Sequence, residues 1–154
     1  MTKNPKIRLF TIGYQTLDGP HVLAGLCDIL KAQVWDIRAK PVSRRPQWHG
    51  SNLRMRLEEK YQWHGDILGG LGREPTPEGL KFLRIRIEKT PIILLCQEEA
   101  PGECHRHDVV IKSGIPALHI YRNEVISSLE LERANIEDTE YQFEELSEFL
   151  RRVS

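Results

Sequence analysis

The run Ile92-Ile93-Leu94-Leu95-Cys96 constrains the fold more than any other stretch of the chain. Successive side chains of a strand point to opposite faces, so five apolar residues in a row need cover on both sides. A parallel sheet sandwiched between helices supplies that cover. Elsewhere short apolar runs alternate with amphipathic stretches, the pattern of βαβ units. The expected fold is α/β: a Rossmann-like three-layer domain with a mainly parallel central sheet of about four to five strands.

The other elements fall around that strand. Residues 7–12 form a first strand, followed by Gly13 and Tyr14. Asp18 then caps a helix carrying Val22, Leu23, Leu26, Ile29 and Leu30 on one face. Residues 34–37 are the second strand. A Pro- and Arg-rich loop runs from Arg38 to about Gly50, and Ser51 opens a short helix through Lys60. Residues 61–64 are extended and lead to the glycine-rich segment 68–72. Thr76-Pro77-Glu78 is a helix start with cap, N1 proline and early acid, good to about Glu88. Pro101-Gly102 marks a turn, residues 104–113 a helix stopped by Gly114, residues 117–121 the last strand, and residues 139–152 a C-terminal helix.

A chain of 154 residues is one ordinary domain. Residues 1–123 are its α/β part, and residues 124–154 an acidic helical extension packed on the same domain. Net charge is zero, but residues 1–123 carry 19 basic and 13 acidic side chains and residues 124–154 carry 3 and 9. The tail is either a solvated acidic helix or a partial shield for a basic surface. The start MTKNPKIRLF lacks an apolar signal core, and no stretch nears the roughly 20 apolar residues of a membrane span. With no such span no membrane is expected, and three cysteines without scaffold spacing point to a reducing compartment, hence the cytoplasm.

In open parallel sheets ligands bind outside the carboxyl ends of the strands. The first strand delivers Tyr14 there. The second delivers Asp36 and Arg38, then Ser43, Arg44, Arg45 and Trp48. The 92–96 strand delivers Cys96 and Glu98, then Cys104-His105-Arg106 at a helix start. Guanidinium groups grip phosphate oxygens in bidentate fashion, and Trp48 is either a stacking face for a base or a core residue. Cys104 at a helix N-terminus is either a low-pKa thiol or an ordinary buried residue. His105 is a general acid or base, or a partner for backbone. Asp36 is an acid with a task or half of an ion pair with Arg38. Arg106 grips a ligand or pairs with Glu98 or Asp36. His21, His64 and His119 read as structural, and Cys27 as core.

Other chemistries fit less well. A thiol phosphatase or sulfurtransferase needs an anion-wrapping loop after its nucleophile, whereas Gln97-Glu98-Glu99-Ala100-Pro101-Gly102-Glu103 would repel an anion. Cys96, Cys104, His105 and His107 are suitable zinc ligand types without the close paired cysteines of structural sites, so neither metal nor cofactor is assigned. A Cys96–Cys104 disulfide fits geometrically and runs against a reducing compartment.

The ordered set Thr11-Ile12-Gly13-Tyr14, Asp36-Ile37-Arg38 with Pro41 and Ser43-Arg44, Leu68-Gly69-Gly70, Leu95-Cys96 with Glu98 and Pro101, and Cys104-His105-Arg106 resembles the domain-of-unknown-function family 488 over residues 8–121. The resemblance implies a Rossmann-like fold and marks Asp36, Arg38, Cys96, Glu98, Cys104, His105 and Arg106 as signature positions. It implies no activity. Tyr14 stands where such proteins often carry His, so no proton transfer is implied there.

Three function classes follow. One is an enzyme acting on a nucleotide or nucleic acid, with Asp36, Glu98, Cys104 and His105 catalytic. In it Tyr14, Arg38, Ser43, Arg44, Arg45, Trp48, Cys96 and Arg106 bind the ligand. Another is a non-catalytic module that binds nucleic acid or an anion through the same loop. The third is an interaction domain that offers its acidic C-terminal helix to a protein partner.

Overall fold

The strand β4 (Ile92–Cys96) lies between β1 (Leu9–Gly13) and β2 (Gln33–Asp36) and is buried at all five positions, as its two-faced apolar run requires. The computed structural model describes residues 7–69, 74–97, 105–121, 124–127 and 139–153. Among them, β3 (Tyr61–Trp63), β5 (Ala117–Tyr121) and β6 (Glu124–Ser127) complete a six-stranded sheet in the order β3-β2-β4-β1-β5-β6. β1 to β5 run parallel and β6 antiparallel to β5, so the sheet is mainly parallel but one strand wider than the sequence suggested.

Helices cover both faces. α1 (Pro20–Leu30) and α2 (Gly50–Leu57) bury Val22, Leu23, Leu26, Leu53 and Leu57 against one face. The C-terminal helix α5 (Thr139–Val153) adds Leu146, Phe149 and Leu150 to that core. On the other face α3 (Pro77–Ile87) and α4 (His105–Ser113) bury Leu80, Leu83, Ile87, Val109 and Val110. The result is a Rossmann-like three-layer α/β domain.

Local chemistry explains where the elements start and stop. Thr76 caps α3 by accepting from the Gly79 N–H at 2.9 Å. Asp18 does not cap α1: Pro20, whose ring presets φ near helical values, takes the first position and makes Gly19 the N-cap. Ser51 likewise lies inside α2, whose N-cap is His49. That helix ends at Leu57 because Glu58 adopts φ 54°, and a single 3-10 turn carries the chain to β3. Gly114 ends α4 at φ 71°, a conformation that costs glycine nothing. The glycine-rich segment expected at 68–72 lies beyond residue 69 outside the described residues, as does the turn at Pro101-Gly102. Among the described residues no helix is long and apolar enough to cross a membrane.

Candidate functional site

A cleft of about 570 Å³ opens at the carboxyl edge of the sheet, lined by Tyr14, Gln15, Ser43, Arg44, Arg45 and Gln97. Three strand ends build it. β1 hands over Tyr14 and Gln15, β4 hands over Gln97, and the loop after β2 folds back across both. The Gln15 N–H donates to the Gln97 carbonyl at 3.2 Å, which closes the floor.

The loop from Arg38 to His49 is fastened at many points. The Gly50 N–H donates to the Pro41 carbonyl at 2.8 Å, and the Arg45 N–H donates to Ser43 Oγ at 3.1 Å. His49 Nε2 lies 2.7 Å from the Ser43 carbonyl. Arg45 Nη2 donates to the carbonyls of Leu17 and Asp18 at 3.0 and 3.3 Å, tying this loop to the one that follows β1. Arg44 stays exposed, and no ion pair to it is formed among the described residues.

Trp48 is not an open platform for a base. A 3-10 turn at Pro46–Trp48 drives its indole fully inside, where it stacks on Tyr14 at 5.0 Å with 27° between planes. The Arg38 guanidinium carbon lies 5.2 Å from the Tyr14 ring centre, and Tyr14 itself is a wall of the cleft. The aromatic character of this loop serves its packing.

Asp36 and Arg38 lie behind that wall. The Arg38 side chain gives Nε to Asp36 Oδ1 at 2.8 Å and Nη2 to Oδ2 at 2.7 Å, and its backbone N–H reaches Oδ1 at 3.2 Å. Tyr61 completes the set by donating to Oδ2 at 2.5 Å. Burial works against the Arg38 charge, and the Asp36 carboxylate outweighs it, raising the guanidinium pKa above its usual value. Burial first, and Asp36 second, hold the Tyr61 phenol far above its usual range. Of the two readings of Asp36, the geometry gives the ion pair. Arg38 Nη1 is buried without a hydrogen-bond partner among the described residues.

The backbone behind this pair is equally tight. Trp63 Nε1 donates to the Arg38 carbonyl at 2.8 Å. Gly65 approaches so closely that a Cβ there would lie 1.9 Å from the same oxygen.

Cys96 and Arg106 belong to the opposite face. Strand alternation puts Cys96 with Leu94 under α3 and α4, while Asp36 bonds to Tyr61 on the side of α1 and α2. Arg106 is 0% exposed, so it is not a group at the cleft surface. Cys96 is disulfide-bonded, and among the described residues Cys27 is a free, buried thiol, its pKa pushed up to about 11 by burial. The bridge corrects the expectation of reduced cysteines and removes Cys96 as a free ligand group. Glu98 and Cys104 lie outside the described residues, as does the side chain of His105. Among the described residues no three His, Cys, Asp or Glu side chains gather as a metal site.

Also beneath that face, His119 Nδ1 lies 2.7 Å from Thr11 Oγ1, its neighbour across the β1–β5 pairing. The His107 ring lies 5.6 Å away. His119 Nε2 and His107 Nδ1 are buried without hydrogen-bond partners among the described residues. Burial, helped by Arg106 and His107, lowers the His119 pKa to about 4.

Of the residues read from sequence, the structure brings Tyr14, Ser43, Arg44 and Arg45 together in the cleft, with Asp36, Arg38 and Trp48 packed behind them. Sequence reasoning missed Gln15, Gln97 and Tyr61. The two glutamines directly follow Tyr14 and Cys96 at strand ends, which was the available signal. Tyr61 is visible only through the pairing of Val34 with Tyr61, which sets it beside Asp36. Comparison with protein-family models, with curated proteins and with solved structures finds no match to this chain.

Proposed function

We propose that the chain binds a phosphate-bearing, nucleotide-like ligand in the cleft at the sheet's carboxyl edge, and that it belongs with the domain-of-unknown-function family 488. The observation that carries the binding proposal is the pairing of Arg44 and Arg45 with Ser43 in one concave site at the strand ends. Its volume falls in the usual range for small-molecule pockets, roughly 300–1,000 Å³. Arg45 is held in place by backbone carbonyls, so part of the ordering cost of binding is met before the ligand arrives. Asp36 is locked in its ion pair, which favours binding over acid–base chemistry by that residue.

Calorimetric titration with inorganic pyrophosphate and with adenosine 5′-diphosphate tests the reading. Arg44→Gln removes one charge-assisted contact and should weaken binding about tenfold, with the circular dichroism spectrum unchanged. No heat from either ligand at millimolar concentration overturns the proposal. Long incubation separates the two functional classes. Intact diphosphate marks a binding module, whereas turnover lost in His105→Ala marks an enzyme.

A further inference from the structure

We infer that the cleft is the seat for one nucleotide of a longer single strand of nucleic acid, whose neighbouring phosphates run over the rim formed by the 38–49 loop and α2. This inference rests on the phosphate-binding reading and extends it to a partner class.

The rim is chemically one-sided. Between Asp36 and Glu58 there is no acidic residue, while Arg38, Lys40, Arg44, Arg45, Arg54 and Arg56 all fall there. Arg38 is spent on Asp36, but Lys40, Arg44, Arg54 and Arg56 are exposed. None of those four is ion-paired among the described residues, whereas Lys60 pairs with Asp28, and Lys112 with Glu74 and Asp108. Arg54 also lies over the Tyr61 ring, 5.6 Å from its centre, and cations without a carboxylate partner on a tethered loop and a short helix make a surface whose natural counter-charge is a polyanion.

Two further observations narrow the partner. Among the described residues the two most exposed large hydrophobic side chains, Met55 at 78% and Val42 at 59%, lie in this same stretch, interleaved with the charges, where they can meet sugar and base edges. The continuity of rim and cleft through Arg44 favours a strand that dips into a nucleotide-sized hollow. A hollow of about 570 Å³ has the volume of a small-molecule site, and α2 shows only Met55 as an exposed apolar side chain, too little to insert into a membrane. With Trp48 and Tyr14 buried, the rim has no stacking platform at those positions, so the grip falls on phosphates and is indifferent to sequence.

Fluorescence anisotropy of the full chain with a labelled, mixed-sequence 20-nucleotide DNA strand, over a salt series, tests the inference. Four or five phosphate contacts should give a log–log salt slope of roughly 3. Arg54→Gln/Arg56→Gln should lower that slope by about 1.4 while leaving pyrophosphate binding in the cleft unchanged. A slope unmoved by this double variant, equal affinity for the matching duplex, or binding to phosphatidylserine vesicles in place of the strand would overturn the strand assignment and leave the cleft reading standing. Loss of pyrophosphate binding in the parent chain would remove both.

Discussion

Two polar clusters are buried beneath the same sheet, one on each face, and they treat charge in opposite ways. On the α1/α2 side, Asp36 takes hydrogen bonds from Arg38 and Tyr61 on both carboxylate oxygens, and the guanidinium keeps its charge. On the α3/α4 side, His119 bonds to Thr11 while its Nε2 has no partner among the described residues, and the side chains that act against its charge, Arg106 and His107, are both basic. The ring is therefore driven neutral. Burial beside a bonded carboxylate leaves Arg38 ionised, and burial beside basic side chains disfavours the charged form of His119.

The sharpest way to break the comparison is Asp36→Ala, which leaves the Arg38 guanidinium buried and uncompensated. Removal of one partner from a buried pair costs about 3–5 kcal/mol, to be read from the urea midpoint. A loss below about 1 kcal/mol would mean that the pair is wetter than its geometry implies. The next effect is on pH. His119 has an ordinary pKa of 6.5 and a folded value of about 4, so the unfolded chain takes up its proton first. Stability is complete above pH 6.5 and is lost as pH falls toward 4, by roughly 3 kcal/mol. His119→Asn should remove about one proton from the slope of stability against pH in that window, and an unchanged slope would refute the assignment. His64, lowered mainly by burial, acts in the same direction and sets the background for that measurement.

Single hydrogen bonds sharpen the contrast further. Tyr61→Phe takes one donor from a charged acceptor and should cost about 2 kcal/mol, whereas Thr11→Val takes a neutral partner from His119 and should cost about 1 kcal/mol. Equal losses in thermal unfolding would show that the Asp36 cluster gains nothing from its charge.

Legibility in the sequence follows the same physics. β4 and β5 were readable to the residue because apolar runs with few interruptions admit little else. The Thr76 cap was readable because its signals are local. β6 was not, because a four-residue edge strand pattern is too short to stand out beside the acidic segment that follows it. At the site, the convergence of strand ends could be read, and so could Ser43, Arg44 and Arg45. The inward turn of Trp48 could not, since a tryptophan in a polar loop looks the same whether it faces a ligand or a tyrosine. Nor could the separation of Cys96 from Asp36 on opposite faces, which depends on how two strands are phased against each other.

Gly65 carries a consequence out of proportion to its size. Its hydrogen faces the carbonyl of Arg38, where a methyl group would overlap that oxygen, so Gly65→Ala would have to displace the peptide from which the buried guanidinium hangs. The ion pair, the Tyr14 wall in front of it and the mouth of the cleft would shift together. The absence of one carbon at position 65 sets how closely this turn can approach the peptide of Arg38.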